Sequence, residues 1–147
     1  MPVTAEQISE TLRGVATDIS LKTPRRIFVN IPRTNLIKAV SILSSELNTQ
    51  HLSAITAVDT GTVFEVLYHF LIDGIVVTLK TTCPKEDPTV ESIVSLYPGA
   101  ILYEREVHDV LGIVSNGHPD LRRLVLPEDW VGGYPLRKDW KPPEGEE

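Results

Sequence analysis

The most regular hydrophobic pattern in the chain lies near the end of its first third. Leu36, Val40, Leu43 and Leu47 recur at i, i+4, i+7 and i+11, which places all four on one face of a helix. The pattern therefore predicts an amphipathic helix that buries this face against other elements.

Shorter patterns predict three further helices. Thr4 and Gln7 can form a capping box ahead of a first helix. A proline-initiated pattern predicts a short helix over residues 88–97. A last helix is expected over residues 103–111, because its apolar positions share one side and Gly112 is well placed as its C-terminal cap.

Runs of β-branched and aromatic residues predict four strands. The first is expected over residues 27–31, after a polar connection at residues 20–25. The others are expected over residues 51–58, 63–71 and 75–81. Asp73 and Gly74 should join the last two strands through a type I′ turn, because both residue types tolerate positive φ angles.

Together these elements predict an α+β fold in which a small antiparallel sheet is covered by helices. Antiparallel strands usually bury one face, and the helix over residues 36–47 is the expected cover. We expect one α+β domain over residues 1–112. An extended, irregular, partner-binding tail is expected over residues 113–147.

Neither the helical nor the strand periodicity of hydrophobic residues continues beyond Gly112. The expected tail nevertheless lacks the composition of a disordered segment. It is longer than a compact domain normally tolerates as loop. Its apolar residues are spaced along its length: Leu121, Leu124, Val125, Leu126, Trp130, Tyr134, Leu136 and Trp140. A segment with such anchors and many backbone groups to satisfy is explained by a partner surface that it follows.

Composition narrows the class of protein. The chain has 147 residues, of which 41% are hydrophobic, and this suits one domain. A net charge of -6 argues against a nucleic-acid partner. The single cysteine, Cys83, excludes an internal disulfide and an all-cysteine metal or iron–sulfur site formed by this chain alone. No apolar run approaches the roughly 20 residues of a membrane span, so we expect a cytosolic protein that could dock on a membrane complex.

Four residues are candidate metal ligands. Glu104 and His108 are i and i+4 on the last predicted helix, and His118 and Asp120 follow it. They would support a stand-alone metal-dependent enzyme as the alternative function. Their spacing matches no standard metal signature.

Ion pairing is the favoured use of the charged residues on this helix. Glu104 or Glu106 would pair with Arg122 or Arg123 on the tail. Loss of one partner from a buried pair of this kind costs about 3–5 kcal/mol.

The last third of the chain resembles a known family in several ordered motifs. The run YEREVHDVLGI is followed by GHPDLRRLVLPEDW and then by YPLRKD. This order is similar to the signature of the 30 kDa subunit family of respiratory complex I, the NADH:quinone oxidoreductase. The same family supplies subunits to energy-converting membrane-bound [NiFe] hydrogenases.

The resemblance implies an α+β domain without a cofactor of its own. Such a subunit packs on the hydrogenase-like large subunit, of the 49 kDa type, near the iron–sulfur small subunit. Iron–sulfur clusters, and in hydrogenases a Ni-Fe centre, belong to these partners, and membrane-arm subunits complete the complex. The chain would then be a non-catalytic subunit, peripheral on the cytoplasmic side of the membrane, that supports electron transfer coupled to ion translocation.

Three departures from the quinone-reducing enzymes favour the hydrogenase-type branch. The position of His108 is commonly aromatic or apolar in those enzymes, and that of Leu111 is commonly Phe. Four residues separate Trp130 from Pro135 here, where those enzymes often have three.

Motif and charge together predict which residues meet the partner. The helix and tail residues assigned to the interface are Glu104, Arg105, Glu106, Asp109, His118, Asp120, Arg122, Arg123, Asp129, Trp130, Arg137, Lys138 and Asp139.

Overall fold

A computed structural model describes residues 2–49 and 51–144 of the chain. It has an α+β architecture with a five-stranded sheet. The helices are α1 (Ala5–Leu12), α2 (Leu36–Ser45, preceded by a short 3-10 turn at Arg33–Asn35) and α3 (Ala100–Leu111). The strands are β1 (Asp18–Thr23), β2 (Arg26–Asn30), β3 (His51–Asp59), β4 (Val63–Ile72), β5 (Ile75–Pro84), β6 (Thr89–Glu91) and β7 (Val114–Asn116).

The sheet confirms the α+β class but is not purely antiparallel. Its strand order is β1-β2-β5-β4-β3, and β2 pairs with β5 in the parallel direction. The other three pairs are antiparallel. The chain passes through α2 and two strands between β2 and β5, and such a long crossover is what a parallel pair requires.

Strand β1 is not predicted by the sequence pattern, and the polar connection expected at residues 20–25 is wrong over most of its length. Residues 18–23 form the edge of the sheet and pair with β2 from Asp18 to Thr23. Their side chains are largely exposed, with no residue fully buried. An edge strand that is held mainly by backbone pairing shows no clear hydrophobic alternation, so the pattern does not reveal it.

The helix predicted over residues 88–97 is also wrong. Thr89–Glu91 is instead strand β6, which pairs in parallel with β7. Val90 and Ile93 are both buried, so apolar residues of this stretch do reach the core, but from extended and turn conformations. Strand β7 likewise interrupts the stretch of residues 113–147 that was expected to be wholly irregular.

Three local predictions are confirmed. Thr4 and Gln7 form both hydrogen bonds of the capping box at the start of α1. Asp73 and Gly74 have φ angles of 47° and 81°, as the β4–β5 hairpin requires. Gly112 ends α3 in the left-handed conformation with a φ of 78°.

The core lies between one face of the sheet and the helices. On β4 the buried side chains alternate, and Phe64, Val66, Tyr68 and Phe70 all point into one cluster. Helix α2 contributes Leu36, Val40 and Leu43 to the same cluster, which confirms it as a cover of the sheet. The inner residues of α1 and α3 belong to this cluster as well. Cys83 lies near the end of β5 and is buried.

We predict that replacing Gly112 by Ala destabilises the domain. The left-handed backbone alone costs a residue with a Cβ about 1–2 kcal/mol. In addition, a Cβ at Gly112 would lie 2.5 Å from an Arg137 nitrogen and 2.7 Å from the Tyr134 ring. Urea unfolding should therefore show a loss of more than about 1 kcal/mol in the free energy of unfolding.

The matched control is Gly14→Ala, because a Cβ there meets nothing within 4 Å. Its free energy of unfolding should not fall. Equal stability of the two variants would contradict the packing described at Gly112.

Candidate partner interface

Helix α3 carries three adjacent charged residues that face in three directions. Glu104 is buried, Arg105 is half-buried and Glu106 is exposed. Successive residues of a helix point about 100° apart, so one charge of the three must turn towards the domain interior. That residue is Glu104.

The carboxylate of Glu104 holds the loop that follows β6. Its Oε1 accepts a hydrogen bond from the Ser92 hydroxyl at 2.6 Å, and its Oε2 accepts one from the Ile93 N–H at 3.1 Å. Burial raises the pKa of Glu104, and the hydrogen bonds from Ser92 and Ile93 only partly oppose this shift. Glu104 is therefore an internal tie between α3 and this loop.

The ion pairs predicted for the two glutamates are wrong. Among the described residues, no ion pair joins Glu104 or Glu106 to Arg122 or Arg123. Glu104 meets hydrogen-bond donors of its own domain instead. Arg122 pairs with Asp120, its neighbour on the tail, at 2.6 Å.

Arg105 binds the backbone of the tail. Its Nε donates to the Arg122 carbonyl oxygen at 3.1 Å, and its Nη2 donates to the Arg123 carbonyl oxygen at 2.8 Å. A guanidinium presents its donors in a planar fork, so one side chain can hold two successive carbonyls.

Asp109, one turn further along α3, binds the next part of the tail. Its Oδ2 accepts hydrogen bonds from the N–H groups of Leu124, Val125 and Leu126 at 3.2, 2.8 and 2.8 Å. Burial acts to raise the pKa of this carboxyl. The three N–H donors and the nearby Arg123 outweigh it, so the pKa of Asp109 lies below its ordinary value.

His118 fixes the start of the tail at the first turn of α3. Its Nε2 donates to the Ile101 carbonyl oxygen at 2.9 Å, and its Nδ1 accepts from the Asp120 N–H at 2.9 Å. The tail therefore follows α3 from Ile101 to Asp109 in the direction of the helix. We call residues 118–126 the tail strap.

The remainder of the tail returns to the C-terminal end of α3. The Leu136 N–H donates to the Val110 carbonyl oxygen at 3.1 Å, and Arg137 Nε donates to the Leu111 carbonyl oxygen at 2.8 Å. The Arg137 guanidinium also lies over the rings of Phe64 and Tyr134, at 5.2 and 4.5 Å from their centroids. Carbonyls at the end of a helix favour a cation, so Arg137 satisfies this terminus.

Asp59, at the end of β3, binds the part of the chain that follows Arg137. Its carboxylate accepts from Lys85 Nζ at 2.9 Å, from the Gly61 N–H at 2.8 Å and from the Lys138 N–H at 2.9 Å. The hydrogen bond from Lys85 is the main reason that the pKa of Asp59 falls to about 2, against the opposing effect of burial. Sequence patterning does not predict this contact, because nothing near Asp59 in the chain shows that Lys138 approaches.

Two tryptophans contact each other and hold two parts of the tail together. The rings of Trp130 and Trp140 stack with centroids 6.5 Å apart. Trp130 Nε1 donates to the Gly133 carbonyl oxygen at 2.8 Å, and Trp140 Nε1 donates to the Gly132 carbonyl oxygen at 2.6 Å.

The thirteen residues assigned to the interface thus divide into two groups. Those with side chains engaged within this chain are Glu104, Arg105, Asp109, His118, Asp120, Arg122, Trp130 and Arg137. Exposed residues without a side-chain hydrogen bond in the described part of the chain are Glu106, Arg123, Asp129, Lys138 and Asp139.

The structure does not bring the four candidate metal ligands together into a metal site. In the described residues, no group of three or more His, Cys, Asp or Glu side chains is placed to hold a metal ion. Both nitrogens of His118 are engaged by backbone groups, and His108 Nδ1 lies 3.3 Å from the Ile113 carbonyl oxygen. The arrangement therefore gives no support to a stand-alone metal-dependent enzyme.

Several apolar side chains of the tail face away from the domain. Leu124, Val125, Val131 and Leu136 are exposed, and Val131 reaches 91%. Apolar side chains grouped on one segment in this way are typical of an interaction surface. Fold and site together define a small α+β domain that carries a folded C-terminal segment with exposed apolar side chains.

The chain belongs to the family of the 30 kDa subunit of respiratory-chain NADH dehydrogenase. The model of this family matches residues 29–146. The resemblance inferred from the motifs of the last third is therefore confirmed and extends over most of the chain.

Known relatives of the chain come from several respiratory complexes. One is a subunit of the F420H2 dehydrogenase of Methanosarcina mazei, which is 33% identical over 145 residues, a match that covers 93% of this chain and 92% of that protein. Another is a subunit of the NADH-quinone oxidoreductase of Chloroherpeton thalassium. It is 34% identical, but the match spans only 58% of its length and 91% of this chain.

Two solved structures share the fold. A trypsin-resistant fragment of Nqo5 superposes with a TM-score of 0.69 at 26% identity, covering 79% of this chain and 98% of the fragment. A chain of the membrane-bound sulfane sulfur reductase, described as an archaeal respiratory membrane complex, gives a TM-score of 0.73 at 25% identity. That match covers 92% of this chain and 84% of the other.

We predict that Asp109→Ala releases the tail strap from α3. Three backbone N–H groups would lose their common acceptor, so they would open to water more often. Hydrogen exchange of the amides of residues 124–126 should become at least about tenfold faster. The control is Asp120→Ala, which removes a carboxylate whose only side-chain partner in the described part of the chain is Arg122 and should leave these amides unchanged. Wild-type exchange in Asp109→Ala would contradict this assignment.

A second prediction concerns pH. The pKa of Asp59 is about 2 in the folded chain, below its ordinary value of 3.8. Its contribution to stability is therefore complete above pH 3.8 and declines as the pH falls towards 2. The stability deficit of Asp59→Asn, measured by urea unfolding, should be largest near neutral pH and shrink through this window. A stability deficit that stays constant with pH would refute this prediction. Asp139→Asn, which changes an exposed carboxylate, serves as the control.

Proposed function

We propose that this chain is a cofactor-free subunit of the peripheral arm of a complex I-like membrane oxidoreductase. Its partner is the hydrogenase-like large subunit of the 49 kDa type, beside an iron–sulfur small subunit. Membership of the 30 kDa subunit family supports this proposal. The relatives are subunits of F420H2 dehydrogenase and NADH-quinone oxidoreductase, and the matched structure is of a respiratory membrane complex.

The observation that carries the proposal is the way α3 holds the tail strap. Arg105 and Asp109 engage backbone groups of residues 122–126. Since the polar backbone is satisfied from within the domain, the side chains of this stretch are free to contact another protein. The exposed Leu124 and Val125 are suited to that use.

The role of the subunit is to hold its partners in register. Electron transfer takes place through iron–sulfur clusters, and in a hydrogenase through a Ni-Fe centre, all bound by other subunits. Ion translocation belongs to the membrane arm. A rigid tail fixed to the domain core would keep the large subunit oriented towards the iron–sulfur subunit, since positioning of this kind depends on supporting contacts around the site.

The proposed location is the cytoplasmic face of the membrane, as a peripheral subunit. Within residues 2–49 and 51–144, no helix is both long enough and apolar enough to cross a bilayer. The departures at His108 and Leu111 support the hydrogenase-type branch of the family over the quinone-reducing one.

Removal of residues 122–140 should abolish assembly. In cells that carry only the shortened chain, a pull-down from membranes in mild detergent should recover little large subunit, and oxidoreductase activity of the membranes should fall at least about tenfold. An intact and fully active complex would disprove the proposal.

A point variant distinguishes a loss of docking from the effect of removing part of the chain. Arg105→Ala keeps the full tail but frees the carbonyls of Arg122 and Arg123, so recovery of the large subunit should fall part of the way. The matched control is Arg13→Ala at the C-terminal end of α1. It removes an exposed guanidinium whose only ion pair among the described residues is with Glu10, and it should leave recovery unchanged.

A further inference from the structure

The tail strap presents its side chains outward because its backbone is bound inward. Among residues 122–126, two carbonyls face Arg105 and three N–H groups face Asp109. Leu124 is 40% exposed and Val125 is 59% exposed. Leu102, one turn before Arg105 on the same side of α3, is 51% exposed. Apolar surface thus lies on both sides of the seam between helix and tail.

A cavity opens along this seam and is lined mainly by arginine. It has a volume of about 440 Å³ and is bordered by Arg105, Arg122, Arg123 and Glu128. Three cations converge there in a chain whose net charge is -6. Such a concentration of like charge against the overall balance of the protein marks a site for an anionic group.

Only one of these guanidiniums is unengaged in the described residues. Arg105 is bound to two backbone carbonyls, and Arg122 is bound to Asp120. Arg123 makes no side-chain hydrogen bond or ion pair within residues 2–49 and 51–144, and it is exposed. Its planar fork is therefore available for a bidentate contact, for which a carboxylate has the matching geometry.

We propose that Arg123 receives a carboxylate side chain of the large subunit, while apolar side chains flanking that carboxylate pack on Leu102, Leu124 and Val125. This inference rests on the proposed function and adds the chemistry of the partner's surface. A charged contact surrounded by apolar side chains is excluded from water, as in the centre of a protein interface. A carboxylate entering the cavity meets Arg123 and Arg122 and is kept from the opposite rim by Glu128.

An acidic protein segment fits this site better than an anionic lipid surface. A membrane surface would meet the whole face of a chain with a net charge of -6 and would be repelled by it. A single carboxylate on a protein loop meets only the local cluster. The exposed Leu124 and Val125, which follow Arg123 directly in the chain, also suit apolar side chains of a protein partner.

The test is a competition for incorporation into the complex. Cells express the wild-type full chain and a variant with a different affinity tag at equal levels, and the ratio of the two chains in the purified complex is measured. Arg123→Gln should be under-represented by at least about 30-fold, as expected for loss of one partner of a desolvated charge pair. Arg123→Lys retains the charge and should recover part of this deficit. Val125→Asp should be under-represented by about tenfold.

Two variants at exposed sites away from the seam are the controls. Arg25→Gln, in the turn between β1 and β2, and Leu21→Asp, on the edge strand, should be incorporated as well as the wild-type chain. Thermal unfolding of each isolated full chain checks that Arg123→Gln and Val125→Asp remain folded, as their exposed positions lead us to expect.

The outcomes distinguish this inference from the proposed function. Failure of the wild-type chain itself to enter the complex would overturn both. Normal incorporation of Arg123→Gln would overturn the inference alone, and so would equal deficits in Arg123→Gln and Arg123→Lys. Sedimentation of the wild-type chain with phosphatidylglycerol vesicles, lost in Arg123→Gln, would also overturn it by assigning the site to lipid.

Discussion

Satisfaction of the backbone groups of the C-terminal segment is the constraint on which this structure depends. Between β7 and residue 144, where the described part of the chain ends, the segment makes neither helix nor ladder, so its N–H and C=O groups need other partners. Arg105 and Asp109 supply them to the tail strap, one as a donor to two carbonyls and one as an acceptor from three N–H groups. An ionised group forms stronger hydrogen bonds than a neutral one, which suits a role in which few side chains hold a long segment.

This arrangement in turn requires that α3 itself be fixed. Glu104, buried on the inner side of the helix, binds Ser92 and Ile93 and so joins α3 to the loop after β6. At its C-terminal end, the left-handed Gly112 leaves room for the side chains of Arg137 and Tyr134. Three adjacent charges on one helix thus serve three surfaces, because helical geometry separates them by about 100°.

For the proposed function, the consequence is that the segment is organised before it meets a partner. Ordering a flexible segment on binding costs conformational entropy, and contacts made within the chain remove part of that cost in advance. In the proposed complex this would let a small domain without a redox centre hold larger subunits in a fixed relation. The same contacts explain why charged residues such as Glu104 and Asp109 are turned inward, where they hold the segment in place. In the proposed complex, the outward contacts fall to the apolar side chains of the segment and to Arg123.

Sequence patterning predicts correctly the elements whose signals are local. Each of these elements depends on residues that are close together in the chain. They are the capping box at Thr4, the amphipathic face of α2, the Asp73-Gly74 hairpin and the Gly112 cap. The ordered motifs of the last third were likewise sufficient to indicate the family. The remaining elements depend on pairing within the folded chain. Edge strand β1 pairs with the neighbouring β2, and β6 pairs with the distant β7. Pairing between backbone groups leaves no periodic trace in the side chains. The partners of Glu104, Arg105 and Asp59 were decided in the same way. A charged side chain can bond any donor or acceptor of suitable geometry, and only the folded chain determines that a backbone carbonyl or N–H, and not an opposite charge, lies within reach.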